Sequence, residues 1–180
     1  MLLSSEQLLE KAKQIRVLIV DIDGVMTDGS LYYHQTGEYL KSFYVRDGFG
    51  IKLLQKAGLQ VAIISGRNSP LVYSRAQDLG IDSSAVFLAV ADKASALDTL
   101  CQSLNVKPEQ MAFMGDDWID LPVLSRVGLA TCVIDAHDEV KSRVHWISAY
   151  PGGRGAVREL CELILRSQQS YDTLLNRYIS

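Results

Sequence analysis

Four short apolar runs constrain the fold of this chain more than any other feature: VLIV at 17–20, VAII at 61–64, MAFM at 111–114 and GLATCV at 128–133. A weaker run, AVFLAV at 85–90, lies between the second and third. Apolar residues on consecutive positions, many of them β-branched, mark strands buried on both faces, because a half-exposed strand would alternate apolar with polar residues. Between the runs lie segments of helical period. GFGIKLLQKAG at 48–58 ends on Gly58, SPLVYSRAQDLG at 69–80 opens on Ser69 and Pro70 and closes on Gly80, and DKASALDTLCQSL at 92–104 starts on Asp92. These are the residues that helix ends favour, since Ser and Asp accept from free N–H groups and Gly takes the left-handed turn. Strand and helix in alternation predict an α/β fold with a mainly parallel sheet. A first helix is expected in MLLSSEQLLEKAKQ, with Ser4 or Ser5 as N-cap, and a last one from near Ala156 toward Ser180.

One segment interrupts the alternation. SLYYHQTGEYLKSFYV at 30–45 holds two aromatic-rich runs around QTGE and reads as a β-hairpin centred on Gly37. With 180 residues, 48% of them apolar, the chain is expected to form one domain over 1–180 with a sizeable core. Its 18 basic and 21 acidic side chains include no basic block, which argues against nucleic acid and membrane surfaces as partners. No apolar run is long enough to span a bilayer and the first residues lack a secretory pattern, so a cytoplasmic protein is expected. Cys101, Cys132 and Cys161 form no C-x-x-C pair, and His34, His137 and His145 have no metal-ligand spacing; all six read as structural or surface residues.

In open parallel sheets ligands bind at the carboxyl ends of the strands, where loops and helix N-termini converge. The unusual residues of this chain fall there. VLIV is followed by Asp21-Ile22-Asp23-Gly24, VAII by Ser65-Gly66-Arg67, and MAFM by Gly115-Asp116-Asp117, while Lys93 opens the helix after the weaker run. Clustered acids are tolerable around a hard divalent cation, and magnesium takes one or two carboxylates together with substrate phosphate. An aspartate beside it can attack phosphorus, and a second carboxyl can carry the proton. Each residue alone has a plainer reading. Asp21 or Asp23 would suit an Asx turn, Ser65 a helix cap, Lys93 a solvated surface, and Asp117 and Asp120 the cap of the next helix. A calcium loop fits poorly, since Gly24 falls too early and Tyr32 stands where the bidentate Glu belongs. Only the combination points to phosphate chemistry.

That combination resembles the haloacid dehalogenase-like phosphohydrolases, whose four motifs stand here in order as DIDGV (21–25), Ser65, Lys93 and GDDWID (115–120). Within them the resemblance is to the 3-deoxy-D-manno-octulosonate 8-phosphate phosphatases, through DIDGVMTDG, FYVRDGFGIKLL (43–54), ISGRNSPLV (64–72), GDDWIDLPVL (115–124) and PGGRGAVRELCELIL (151–165). The resemblance implies a Rossmann-like sheet with helices on both faces and a small hairpin in place of a cap domain. It implies a magnesium-dependent phosphatase of that eight-carbon sugar acid phosphate in lipopolysaccharide synthesis, working through an aspartyl phosphate. The alternatives are a nine-carbon, sialic-acid-type substrate or a non-catalytic binding subunit. By position, Asp21 resembles the nucleophile and a metal ligand, Asp23 the general acid/base with its carbonyl on the metal, and Asp116 the remaining metal carboxylate, supported by Asp117. Ser65 and Lys93 would hold the phosphoryl group. Tyr44, Val45, Arg46, Asp47, Gly48, Lys52, Arg67 and Arg75, with Asp23 and Lys93, correspond to substrate-binding positions, although Lys52 replaces an arginine. The family is homotetrameric, with hairpins associating and C-terminal tails reaching a neighbouring site. Asp28, left over, is expected to shape the approach to the hairpin.

Overall fold

The computed structural model describes residues 2–179. Six strands form one wholly parallel sheet: β1 (Val17–Val20), β4 (Gln60–Ile64), β5 (Val86–Phe87), β6 (Met111–Gly115), β7 (Leu129–Cys132) and β8 (Trp146–Ile147), in the order β5-β4-β1-β6-β7-β8. The four runs that read as buried strands form the middle of this sheet, and every residue of β1, β6 and β7 is buried. A separate antiparallel pair, β2 (Tyr32–His34) and β3 (Gly37–Leu40), is the hairpin; its turn is Gln35-Thr36, so Gly37 opens the second strand instead of centring the turn. The weaker run contributes only Val86 and Phe87, and β8 is two residues long, too short to show any alternation in the sequence.

The register decides where the loops meet. Val20 lies opposite Ile63 on one side and Met114 on the other, so the residues just beyond them, Asp21, Ser65 and Asp116, emerge side by side. From β1 the chain crosses through α2 (Val45–Lys56) to β4 and on through α3 (Pro70–Leu79) to β5, then returns through α4 (Lys93–Leu104) to β6 and α5 (Leu121–Leu124) to β7. Right-handed crossovers that run in opposite directions put their helices on opposite faces. The reversal leaves a crevice between the ends of β1 and β6, the switch point at which such sheets bind ligands.

The helix ends follow the sequence. Ser4 caps α1 (Ser5–Lys13) in a capping box with Gln7, Gly80 closes α3 in the left-handed conformation, and Asp92 caps α4 through the Ala94 N–H. The expected long last helix is broken. α7 (Ala156–Ser167) ends where the Gln168 side-chain amide donates to the carbonyls of Ala12 and Ile15 at 3.3 and 2.7 Å, pinning its end to the end of α1. After Gln169, at φ +58°, α8 (Tyr171–Ile179) turns back and buries Leu174; Ser180 lies outside the described residues. Cys132 and Cys161 are buried free thiols, and burial pushes Cys132 up to about 12. His137 and His145 serve as hydrogen-bond acceptors, for the Glu139 and Ala130 N–H groups, and His34 ends β2.

Two long-range ties fasten the tail to the site. Gly152 packs on the Gly24 carbonyl so closely that any side chain at 152 would overlap it, and the Gly153 N–H donates to the Val25 carbonyl at 2.9 Å. α7 begins on Gly155, which has no side chain to cap it, and fully buried Asp47 of α2 supplies the cap: its oxygens accept from the Gly155 and Arg158 N–H groups at 3.2 and 2.8 Å. Replacing Asp47 by Ala leaves both donors without a partner. It is expected to lower the unfolding free energy by about 1–3 kcal/mol, measured by urea denaturation. Unchanged stability would show that Asp47 is not the cap.

Candidate active site

The first site loop turns sharply. The Asp21 N–H still donates to Met114 in the sheet, at 3.1 Å, but the Val25, Met26 and Thr27 N–H groups all converge on the Ile22 carbonyl. Gly24, at φ +91°, sits in this turn, and a β-carbon there would overlap the Asp116 carboxylate. Glycine therefore lets the loop after β6 press its acid against the loop after β1. Asp28 accepts from the Ser30 N–H at 3.0 Å, a local turn leading to the hairpin.

A buried lysine links three elements. Lys93, the first residue of α4, donates to Asp120 Oδ1 at 2.6 Å and lies 3.0 Å from Asp21 Oδ1. Asp120 is fully buried, and its second oxygen accepts the Asp116 and Asp117 N–H groups at 2.9 and 3.3 Å, which shapes the loop after β6. Asp120, which the sequence did not mark for this part, therefore supports Asp116 directly. Asp117 itself caps the short turn that follows, through the Trp118 N–H at 2.7 Å. Asp120 was legible only as a helix cap because nothing in the sequence showed that a four-residue turn would bring it back beneath Asp116.

Asp21, Asp116 and Asp120 each place a carboxylate oxygen within 4.8 Å of the others. Both Asp120 oxygens are taken, so Asp21 and Asp116 are the acids with oxygens to offer, and Asp21 Oδ1 is buried without a directed hydrogen bond. Burial, and then the Asp120 charge, push Asp21 up to about 7 against the pull of Lys93. Burial, and then Asp21, Asp120 and Asp117, push Asp116 up to about 8. Burial works against the Lys93 charge, but Asp21 and Asp120 outweigh it and hold its pKa above the usual value. Three acids thus face one ammonium, a set that fits a hard divalent cation. The Asp23 carboxylate stands outside this group, paired with Lys41 of the hairpin and 3.5 Å from Arg67 Nε. Ser65 is buried at the end of β4, held by its N–H on the Phe87 carbonyl at 2.9 Å.

The remaining candidates are dispersed. Tyr44 and Arg46 line a groove of about 670 Å³ with Tyr150, Arg154 and Arg158 at the start of α7. Gly48 makes room for the Arg75 guanidinium, which stacks over Phe43 at 5.6 Å. Val45 is exposed, Asp47 is the buried cap, and Lys52 lies in a shallow depression with Gln55, Lys56, Gln77 and Asp78, away from the strand-end loops. Arg67 reaches the rim of the site, where its Nη2 donates to the Tyr33 hydroxyl at 2.6 Å. The sequence reasoning missed Glu38 in β3 and Lys41 just after it, whose opposite charges carry no periodic signal.

Residues 86–160 match the haloacid dehalogenase-like hydrolase family. The 3-deoxy-D-manno-octulosonate 8-phosphate phosphatase KdsC of Yersinia pestis is 44% identical over 168 residues, 93% of this chain and 89% of that protein. The crystal structure of a 3-deoxy-D-manno-octulosonate 8-phosphate phosphatase from Moraxella catarrhalis, in complex with magnesium ion, phosphate ion and KDO molecule, is similar with a TM-score of 0.93 at 35% identity, covering 97% of this chain and 99% of the other. A probable YrbI family phosphatase from Pseudomonas syringae gives a TM-score of 0.94 at 42% identity over 98% and 99% of the two chains.

The crowded acids make cation binding and pH interdependent. Asp21 and Asp116 must lose their protons to bind, so magnesium affinity measured by calorimetry is expected to fall at least about tenfold from pH 8 to pH 6. Both folded-state values lie above the ordinary 3.8, so the stability these groups contribute is fully present below that pH and is lost as pH rises through 7 and 8. The cation-free protein should melt lower at pH 8.5 than at pH 6, and magnesium should remove the difference. A magnesium affinity independent of pH would contradict this arrangement.

Proposed function

The chain belongs to the 3-deoxy-D-manno-octulosonate 8-phosphate phosphatases of the haloacid dehalogenase-like hydrolases, and from that membership we propose that it hydrolyses this sugar acid phosphate, with magnesium, to 3-deoxy-D-manno-octulosonate and phosphate. The observation that carries the reading is Asp21: a buried carboxylate at the end of β1, facing the Lys93 ammonium at 3.0 Å, with Asp116 beside it and Ser65 at the adjoining strand end. In this reading Asp21 attacks phosphorus, forming an oxygen–phosphorus bond as the bond to the sugar oxygen breaks, and Asp23 gives that oxygen its proton. Water then attacks the aspartyl phosphate, Asp23 takes a proton from it, and phosphate departs. Ser65 and Lys93 hold the phosphoryl oxygens, and Lys93 offsets the charge of Asp21. Asp21, Asp116 and the Asp23 carbonyl would hold the magnesium ion, which draws the phosphate in and offsets its charge.

Substrate carboxylate and phosphate both suit arginine forks, and Arg67 at the rim is the one nearest the acids. Tyr44, Val45, Arg46, Gly48, Lys52 and Arg75 are the further recognition positions in this reading; Tyr44 and Arg46 line the groove with Arg154 and Arg158, while Asp47 would act from within, as the buried cap that holds the start of α7 in place. A homotetramer joined through hairpins would also cover Tyr33 and Tyr39, which are 60% and 59% exposed. Product use in lipopolysaccharide synthesis and a cytoplasmic location complete the proposal. Among the described residues no helix is long and apolar enough to cross a membrane.

Replacing Asp21 by Asn is expected to cut phosphate release by at least about 10³-fold while leaving the melting temperature of the cation-free protein unchanged or higher. Undiminished turnover would remove Asp21 as nucleophile. A panel of sugar acid phosphates compared by kcat/KM should favour the eight-carbon substrate, and a clear preference for a nine-carbon acid would move the assignment to the sialic-acid type.

A further inference from the structure

The hairpin carries two charged side chains that the chemistry above leaves unused. Lys41, directly after β3, has a side chain only 1% exposed; it is ion-paired with Asp23 Oδ1 and lies 3.0 Å from Glu38 Oε1. Arg67, from the loop after β4, faces the same two acids, with Nε 3.5 Å from Asp23 Oδ2 and Nη2 3.7 Å from Glu38 Oε1. The four charges alternate around a ring. Glu38 is anchored in turn by Ser69, whose hydroxyl donates to Oε2 at 2.6 Å.

An ammonium this enclosed has to stay paired, because leaving it alone would strand a charge away from water. Its contacts treat the two oxygens of Asp23 differently. Oδ1 is held by Lys41, whereas Oδ2 is buried without a hydrogen-bond partner, as is Arg67 Nε beside it. One oxygen is therefore fixed, and the other, close to the Arg67 guanidinium but without a hydrogen bond, is the one that can give and take a proton. Gly24, next in sequence and at φ +91°, lies in the first site turn and offers no side chain to support Asp23.

We propose that Lys41 is the positioning residue for the proton carrier: it holds one oxygen of Asp23 and leaves the other, which has no hydrogen bond, for the leaving group and the water. The hairpin, and not the sheet, then sets where the proton is delivered, with Glu38 keeping Lys41 in place. The inference rests on the reading of Asp23 as the acid/base.

The test is steady-state kinetics with 3-deoxy-D-manno-octulosonate 8-phosphate and magnesium on Lys41→Met, Lys41→Arg, Asp23→Asn and the double variant Lys41→Met/Asp23→Asn. Lys41→Met is expected to lower kcat at least about tenfold with KM within about threefold, Lys41→Arg to recover part of the loss, and the double variant to be no slower than Asp23→Asn. A rise in KM with kcat unchanged, or a Lys41→Met loss that multiplies fully onto that of Asp23→Asn, would overturn the proposal. Should Lys41→Met not fold, Glu38→Gln carries the test: a kcat at least about threefold lower at unchanged KM supports the anchor, and an unchanged kcat overturns it. If Asp23→Asn is inactive while Lys41→Met is as fast as the unaltered protein, this inference fails alone. If Asp23→Asn keeps full turnover, the acid/base reading fails and takes the inference with it.

Discussion

The pairing of Lys93 with Asp21 and Asp120 is the interaction on which the rest of the site depends. A lysine buried at the start of a helix is unfavourable by itself, since both burial and the positive helix end oppose its charge. Two carboxylates reverse that balance, and each belongs to a different strand-end loop, so one ammonium joins α4, β1 and the loop after β6. Asp120 then uses its other oxygen on the Asp116 and Asp117 N–H groups. The same residues that position the acids also crowd them, and that crowding is what suits the site to a cation.

Close backbone packing does the remaining assembly. Gly24 allows the Asp116 carboxylate against the first loop, and Gly152 allows the tail onto the back of that loop. The tail is fixed further by Asp47, which caps α7 from α2. Side chains at these glycines would separate the loops, and the acids would no longer stand together. The hairpin, by contrast, is held through charge. Its Glu38 and Lys41 face the site while its tyrosines remain open, so one short element has a polar inner face and an apolar outer one.

Much of this was legible in the sequence. The buried strands announced themselves because parallel strands covered on both faces must be apolar at successive positions, and Ser4, Gly80 and Asp92 marked helix ends because free N–H and C=O groups need those residues nearby. Other features left no trace. β8 is too short for a pattern, the break after Ser167 depends on a contact between Gln168 and α1, and nothing near Asp47 in the sequence marks it as the cap of α7, which begins far along the chain.

The sequence by itself determined an α/β sheet with acids, a serine and a lysine at its strand ends, because local periodicity and strand termination are written in neighbouring residues. Tertiary structure alone decided the division of labour among those acids. Asp120 pairs with Lys93 and shapes the loop after β6 while Asp117 caps the turn that follows, Asp23 turns toward the hairpin, and Asp47 faces inward as a cap. Which way a carboxylate turns depends on the donors that other elements bring to it, and strand register and loop packing set those donors across distances in the chain that no local pattern spans.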